Sequence, residues 1–153
     1  MIQNKNIGNS RFVFFKLKSD FNKWQGILGQ IDNFIRDNSG FERATPYAFI
    51  WFLPENVYWI GREVIGSIPI KGKNDPYVLD FKMDQVYSHS IDLELDWKLA
   101  DLLDLRKKVC QENVGVINDH FPWRLCIDLE KRDKIHLEIE FYRDNYPFPK
   151  LTN

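Results

Sequence analysis

The sequence predicts an α+β fold: a single domain in which a largely antiparallel sheet of about five to seven strands carries two helices packed on one face. Three observations carry this expectation. Strand-like and helix-like periodicities follow one another as β-α-β-β-(β)-β-β-α-β-β, without the run of helix-separated strands that a parallel sheet requires. Two pairs of apolar runs are joined by short turn signals and read as hairpins. The 153 residues, 44% hydrophobic and 15% aromatic, suffice for one core and exclude disorder, collagen and a simple coiled coil.

After a polar leader over residues 1–10, residues 11–17 (RFVFFKL) alternate Phe12 and Phe14 with Val13 and Phe15, so this strand is expected to be covered on both faces. Ser19 or Asp20 then caps a helix whose Phe21, Trp24, Ile27, Leu28, Ile31, Phe34 and Ile35 form one stripe, and Gly40 ends it. Gly26 and Gly29 each cost that helix up to about 1 kcal/mol relative to Ala, which predicts a close approach of helix to sheet there. The run YAFIWFL from Tyr47 is too short and aromatic for a helix. Pro54, Glu55 and Asn56 close it and turn the chain into a partner strand at 57–60.

Gly61, Gly66, Pro69, Gly72, Asn74 and Pro76 mark 61–76 as mostly loop, with a short strand near Val64 and Ile65. Strand character resumes at 78–81 and 86–95. Asp96 caps a second helix to about Glu112, with Leu99, Leu102, Leu103, Arg106, Val109 and Cys110 on one face and Gly115 as its stop. In the last hairpin Trp123, Leu125, Ile127 and Leu129 alternate cleanly, as do Ile135, Leu137, Ile139 and Phe141. A three-residue turn at Lys131, Arg132 and Asp133 sets Ile127 opposite Leu137 and Leu125 opposite Ile139. The same register faces Asp128 with His136 and Arg124 with Glu140, on a side expected to be wet. Pro147 and Pro149 predict an irregular surface path for 145–153. No internal repeat or linker divides the chain, so 1–153 is read as one domain.

Twenty-one Lys and Arg against twenty-two Asp and Glu leave a net charge of −1, so neither nucleic acid nor a membrane surface is expected as a partner. The basic-aromatic neighbours Arg11, Phe12, Phe14 and Lys16, and Tyr142 and Arg143, read as core-filling rather than as a strand-gripping surface. The opening MIQNKNIGNSR lacks the order of a signal peptide, the apolar run 48–53 is far short of a bilayer span, and two cysteines make no disulfide framework. A soluble cytoplasmic protein, monomeric or weakly dimeric, is the expectation. There is no P-loop and no HExxH, and His89, His120 and His136 are dispersed, so neither a metal nor a cofactor is expected.

The sharpest catalytic candidate follows from the last hairpin. Its register places Cys126 diagonal to His136, with Asp128 opposite the histidine and Glu138 opposite the cysteine, in the roles of nucleophile, base and orienter. A flat sheet offers no concavity and no oxyanion donor, which weighs against catalysis and toward no enzyme. A small hydrolase or nuclease using Cys126 and His136 or a carboxylate-bound metal stands as the alternative, beside a ligand-binding or scaffold domain.

Between Asp75 and Asp104 stand eight acids and only two bases, Lys82 and Lys98. Asp92, Glu94 and Asp96 alternate on one strand face, and Asp101 and Asp104 lie three apart on the next helix, so a contiguous acidic patch forms if these faces meet. Tyr87, Trp97 and Tyr146 are candidates for exposed anchors beside it. On its size, the stretch DLELDWKLADLLD and the absence of a catalytic motif, the chain resembles, in general type and with no diagnostic motif, the small immunity proteins of bacterial toxin systems. That resemblance implies occlusion of a basic, nuclease-type toxin, with Asp92, Glu94, Asp96, Trp97, Asp101 and Asp104 as the partner-binding residues.

Overall fold

A computed structural model of the chain describes residues 2–69, 72–130 and 133–151. It is α+β, with nine strands in one antiparallel sheet. The strands are β1 (Gln3–Ile7), β2 (Ser10–Lys18), β3 (Phe41–Arg43), β4 (Ala48–Leu53), β5 (Val57–Gly66), β6 (Tyr77–Phe81), β7 (Asp84–Leu93), β8 (Trp123–Asp128) and β9 (Ile135–Phe141), with helices α1 (Trp24–Asp37) and α2 (Leu99–Glu112). The excess over five to seven strands comes from two places the sequence reads otherwise. The polar leader forms β1, paired along β7, and the supposed loop after Ile60 continues β5 to Gly66, where β3 joins it. Gly61 punctuates that strand because β2 passes too close for a side chain: a Cβ there would lie 1.8 Å from the Val13 carbonyl oxygen.

The sheet order is β1-β7-β9-β8-β4-β5-β2-β6, with β3 off this path. In a flat sheet β1 and β2 would stand six strand spacings apart, roughly 29 Å. They are joined through Gly8 and Asn9 alone, a link that reaches no more than about 11 Å from Ile7 to Ser10. β6 and β7, at opposite ends of the order, are joined as tightly through Lys82 and Met83. The sheet must therefore curl until its ends meet, and one face becomes convex and the other concave.

Both helices pack on the same face. Trp24 and Leu28 of α1 and Leu102 and Val109 of α2 share a core with Ile50, Ile60, Leu125, Ile127, Leu137 and Ile139. Ile31 and Ile35 continue the α1 stripe onto Val13, Phe41 and Val64. Arg62 pins α1 to the sheet by donating Nε and Nη2 to the Asp32 carboxylate at 2.9 and 3.0 Å. The hairpin register is as expected, with Asp128 opposite His136, Cys126 opposite Glu138 and Arg124 opposite Glu140. Of the three-residue turn proposed for it, Lys131 and Arg132 lie outside the described residues.

The helix ends differ from the sequence reading. Ser19 and Asp20 take left-handed φ values of 59° and 46° and supply no side-chain cap. A single 3₁₀ turn (Phe21–Lys23) leads into α1 instead. Lys98, not Asp96, is the N-cap of α2, with the Asp101 carboxylate accepting from the Lys98 N–H at 3.0 Å. Asn38 ends α1, its Nδ2 donating to the Phe34 carbonyl at 2.7 Å. Gly40 serves a chain crossing: a Cβ on it would sit 2.2 Å from Ile68, and one on Gly66 would sit 2.0 Å from the Gly40 oxygen.

The order of elements contains a repeat that the sequence hides. β2-α1-β4-β5 and β7-α2-β8-β9 have the same topology, in which the first strand pairs with the last of the hairpin. The same interval along the chain separates Trp24 from Leu99 and Ala48 from Trp123. The halves meet through antiparallel β4 and β8.

The close approach expected at Gly26 and Gly29 is absent, since nothing lies within 4 Å of a Cβ at either. Their cost is then purely one of backbone entropy, and Gly26→Ala and Gly29→Ala are each expected to stabilise the fold by about 0.5–1 kcal/mol. Gly61→Ala is expected to do the opposite. Urea midpoints compared at equal m-value check both signs.

Candidate ligand-binding site

With the helices on the convex face, the concave face should be solvated if the alternation in β8 and β9 meant what it says. It is buried. Arg124 is 5% exposed, Cys126 4% and Glu140 0%. Side chains two strands away on the same face reach over them: Lys5 donates from Nζ to Glu138 Oε2 at 2.9 Å and Glu140 Oε2 at 3.1 Å, and Arg124 Nη1 donates to Glu63 Oε2 at 3.2 Å, while the curl brings the link at Gly8 and Asn9 to the same place as Arg124 and Cys126. Arg124 Nε donates to Glu140 Oε1, an oxygen also reached by the Tyr142 hydroxyl at 3.5 Å. The guanidinium lies over the rings of Phe49 at 4.3 Å and Trp51 at 5.5 Å.

Burial opposes the ionisation of Glu140, but Arg124 and Lys5 outweigh it and hold the carboxyl below its usual range. Burial would likewise discharge Lys5, and Glu140 and Glu138 outweigh it and hold the amine above its ordinary value. Such a cluster costs desolvation that an apolar core would avoid, so stability alone is a poor reason for it. At its edge is a cavity of about 230 Å³ with Lys5, Glu63, Arg124, Tyr47, Phe49 and Cys126 in its lining.

Beside the charges stands an aromatic floor. Phe12, Phe14, Phe49, Trp51, Trp59, Phe81, Tyr142 and Tyr146 are buried together on this face. The tail expected to wander over the surface is irregular but not free: Phe148 and Leu151 pack against the same cluster, and the Tyr146 hydroxyl donates to the Lys82 carbonyl at 2.9 Å. Among the described residues, the indole Nε1 atoms of Trp51 and Trp59 are buried without a hydrogen-bond acceptor. Each such orphaned donor costs about 1–3 kcal/mol.

The proposed catalytic group does not assemble. Burial pushes the Cys126 thiol up to about 12, so it is a protonated core residue and not a thiolate. His136 Nδ1 pairs with Asp92 Oδ1 at 2.9 Å across β7, while Asp128 Oδ1 accepts from the Glu130 N–H at 3.0 Å. Among the described residues no cluster of three metal-ligating side chains forms.

The acidic residues are likewise divided. Asp92 pairs in register with His136, on the helix-free side of β7, whereas Asp101 and Asp104 are exposed on α2, which covers the other side. Glu94 lies 3.8 Å from Lys134, and Asp96 is exposed in the turn before α2. Trp97 is no free anchor, being packed edge-on to Phe21 at 5.8 Å and against Trp24 at 6.0 Å. Tyr146 is 8% exposed, and Tyr87 is half-buried against the helix-side core.

The sequence reading missed Lys5, Glu63, Arg124, Glu140, Trp51, Trp59 and Phe148 as site residues. One signal was present: AFIWFL is apolar at every position, so β4 needs cover on both faces, and two helices supply cover for only one.

The class to which this fold is similar is that of bacterial transcription regulators. No protein-family model matches the sequence, and no curated protein matches it. Among solved structures, the crystal structure of the EcmrR C-terminal domain superposes with a TM-score of 0.67 at 13% identity, over 92% of this chain and 95% of that one. EcmrR in a cryo-EM structure of an EcmrR–DNA complex in EcmrR-RPo gives 0.66 at 13% identity. This chain covers 56% of EcmrR there, so it spans about half of that protein's length. A protein from Staphylococcus aureus MU50, described as a bacterial transcription regulation protein, gives 0.57 at 11% identity over 92% and 96%. These likenesses overturn the expected immunity protein with a basic toxin as partner, since the matching fold is that of regulator domains. The exclusion of nucleic acid from its setting falls too, because EcmrR is solved on DNA. Among the described residues no helix is long and apolar enough to cross a membrane.

Glu140→Gln leaves the buried Arg124 and the half-buried Lys5 short of a counter-charge and is expected to cost about 3–5 kcal/mol. Because the folded carboxyl titrates below its unfolded value, near 4.3, its contribution is fully present above that value and fades as pH falls through the lower folded one. The stability gap between the unaltered protein and Glu140→Gln, followed by urea denaturation, should therefore be flat at neutral pH and close only in acid. In the folded protein at mildly alkaline pH, iodoacetamide should label Cys110, which is half-buried, well before Cys126. Mass spectrometry of the alkylated peptides checks the order.

Proposed function

We propose that this chain is the small-molecule-sensing domain of a transcription regulator, and that its ligand binds on the helix-free concave face. The observation that carries the reading is the buried Arg124 cluster beside an open cavity: a costly set of convergent charges, walled by Phe49 and Tyr47, on the one face the fold leaves clear of helices. Resemblance to the EcmrR C-terminal domain supports it. The ligand is a small aromatic molecule with an acceptor group, its ring against Phe49 and Tyr47 and its acceptor toward Arg124 and Lys5. DNA contact then belongs to a part of the regulator other than this domain, and no catalysis by this chain is needed. The aromatic floor and the charge cluster together give the face polarisable walls and fixed polar groups, as a site for such a molecule requires.

A thermal-shift panel of aromatic carboxylates, amides and nitrogen heterocycles tests this on the unaltered protein. A ligand at one hundred times its Kd adds about 2.7 kcal/mol, or roughly 5–10 °C for a chain of this length. Tyr47→Ala and Glu63→Gln should reduce a hit's affinity several-fold, Tyr47→Ala without lowering the free protein's Tm. A panel without hits, or hits indifferent to both substitutions, would refute the assignment.

A further inference from the structure

We propose that the segment 146–151 is an internal occupant of this face. When Phe148 swings away, the floor of Trp51, Trp59 and Phe81 takes a flat aromatic molecule bearing a hydrogen-bond acceptor. The proposal rests on the reading of the concave face as a ligand site and names what lies beneath the tail.

Phe148 sits among three rings as a bound ligand would, its centroid 5.0 Å from Trp51, 5.2 Å from Trp59 and 5.6 Å from Phe81. It stands edge-on to Trp51 and Phe81. Beyond Tyr146, which is buried and stacked 6.3 Å from Trp51, the segment that carries it is held only by side-chain packing. It belongs to no strand, and its backbone bonds are local, from the Tyr146 N–H to the Arg143 oxygen at 3.0 Å and from the Phe148 N–H to the Tyr146 oxygen at 2.8 Å. The Tyr146 hydroxyl on the Lys82 carbonyl is the tether at its base.

The occupant is chemically incomplete. A phenyl ring fills the slot but offers no lone pair, and the Nε1 donors of Trp51 and Trp59, the two indoles it touches, are without an acceptor among the described residues. A heteroaromatic ring of similar outline can supply the packing that Phe148 gives and the acceptor that it lacks. Its charge should be neutral, because the neighbouring Arg124, Lys5, Glu63, Glu138 and Glu140 already compensate one another. An exchange of this kind lowers the ligand's apparent affinity by the fraction of time the tail is out, so any change that loosens the tail must tighten binding.

The probes are quinoline, with a ring nitrogen as acceptor, and naphthalene, with the same outline and none. Each is titrated at neutral pH into the unaltered protein, Phe148→Ala and Leu151→Ala, observing the indole N–H resonances of the five tryptophans. Trp51 and Trp59 are assigned by Trp→Phe replacement. Quinoline should bind Phe148→Ala about tenfold or more tightly than the unaltered protein, with a smaller gain in Leu151→Ala, which keeps every ring in place. The Nε1–H of Trp51 or Trp59 should move downfield with quinoline and not with naphthalene. Affinity equal or lower in both variants, binding that leaves both resonances unmoved, or no binding to any of the three proteins would overturn the proposal. Panel hits sensitive to Tyr47 and Glu63 alongside such a result would sink the exchange alone, whereas an empty panel removes the sensing function itself.

Discussion

The curl of the sheet is the constraint on which the rest depends. Two links of two residues, Gly8 with Asn9 and Lys82 with Met83, join strands at opposite ends of the strand order, and no flat arrangement spans that distance. Because the ends must meet, one face wraps outward and takes both helices. The other wraps inward and gathers side chains from β1, β4, β5, β8 and β9 that are far apart in sequence. Lys5 and Glu140, 3.1 Å apart, meet on this face across β7, which alone separates β1 from β9.

Closure also changes what a charged residue on a strand means. Arg124 and Glu140 would be an ordinary cross-strand pair on an open hairpin, worth little in water. Enclosed, they form a cluster whose removal in part is far more costly than its presence, with Lys5 and Glu63 completing the compensation and Phe49 and Trp51 stacking on the guanidinium. Two tryptophans are held with polar waste: among the described residues, their indole donors are sealed in a layer that offers them no acceptor. Natural cores tolerate few such defects, and two of them here are on rings that Phe148 touches.

Much of the architecture was legible and the site was not, for one physical reason. Periodicity reports a strand's own two faces, and so the register of β8 and β9 could be read from two independent patterns, apolar and charged, and was found as read. Periodicity does not report what lies across from a face. Arg124, Cys126, Glu138 and Glu140 alternate with apolar residues and therefore read as solvated, although side chains from β1 and β5 reach over them. β1 itself, QNKNI, has no apolar rhythm, since Ile7 is its one apolar residue and packs against the aromatic cluster while Lys5 joins the charges. Gly61 misled in the same way, since a glycine that admits a neighbouring backbone is indistinguishable in sequence from one that turns the chain. The prolines of the tail correctly forbade a strand, while Tyr146 and Phe148 between them decided where the tail would lie.

The repeated strand-helix-hairpin unit carries a consequence for how the molecule coheres. β1 precedes the first unit but pairs with β7 of the second, and β6 precedes the second but pairs with β2 of the first. Each half thus lends its leading arm to the other, in the manner of an arm-exchanged dimer written into one polypeptide. The seam between β4 and β8 is clasped from both flanks, so the halves cannot part like a hinge. A ligand that strains the seam must move both arms with it, and the joints at Gly8 and Lys82 are where that motion would leave the domain.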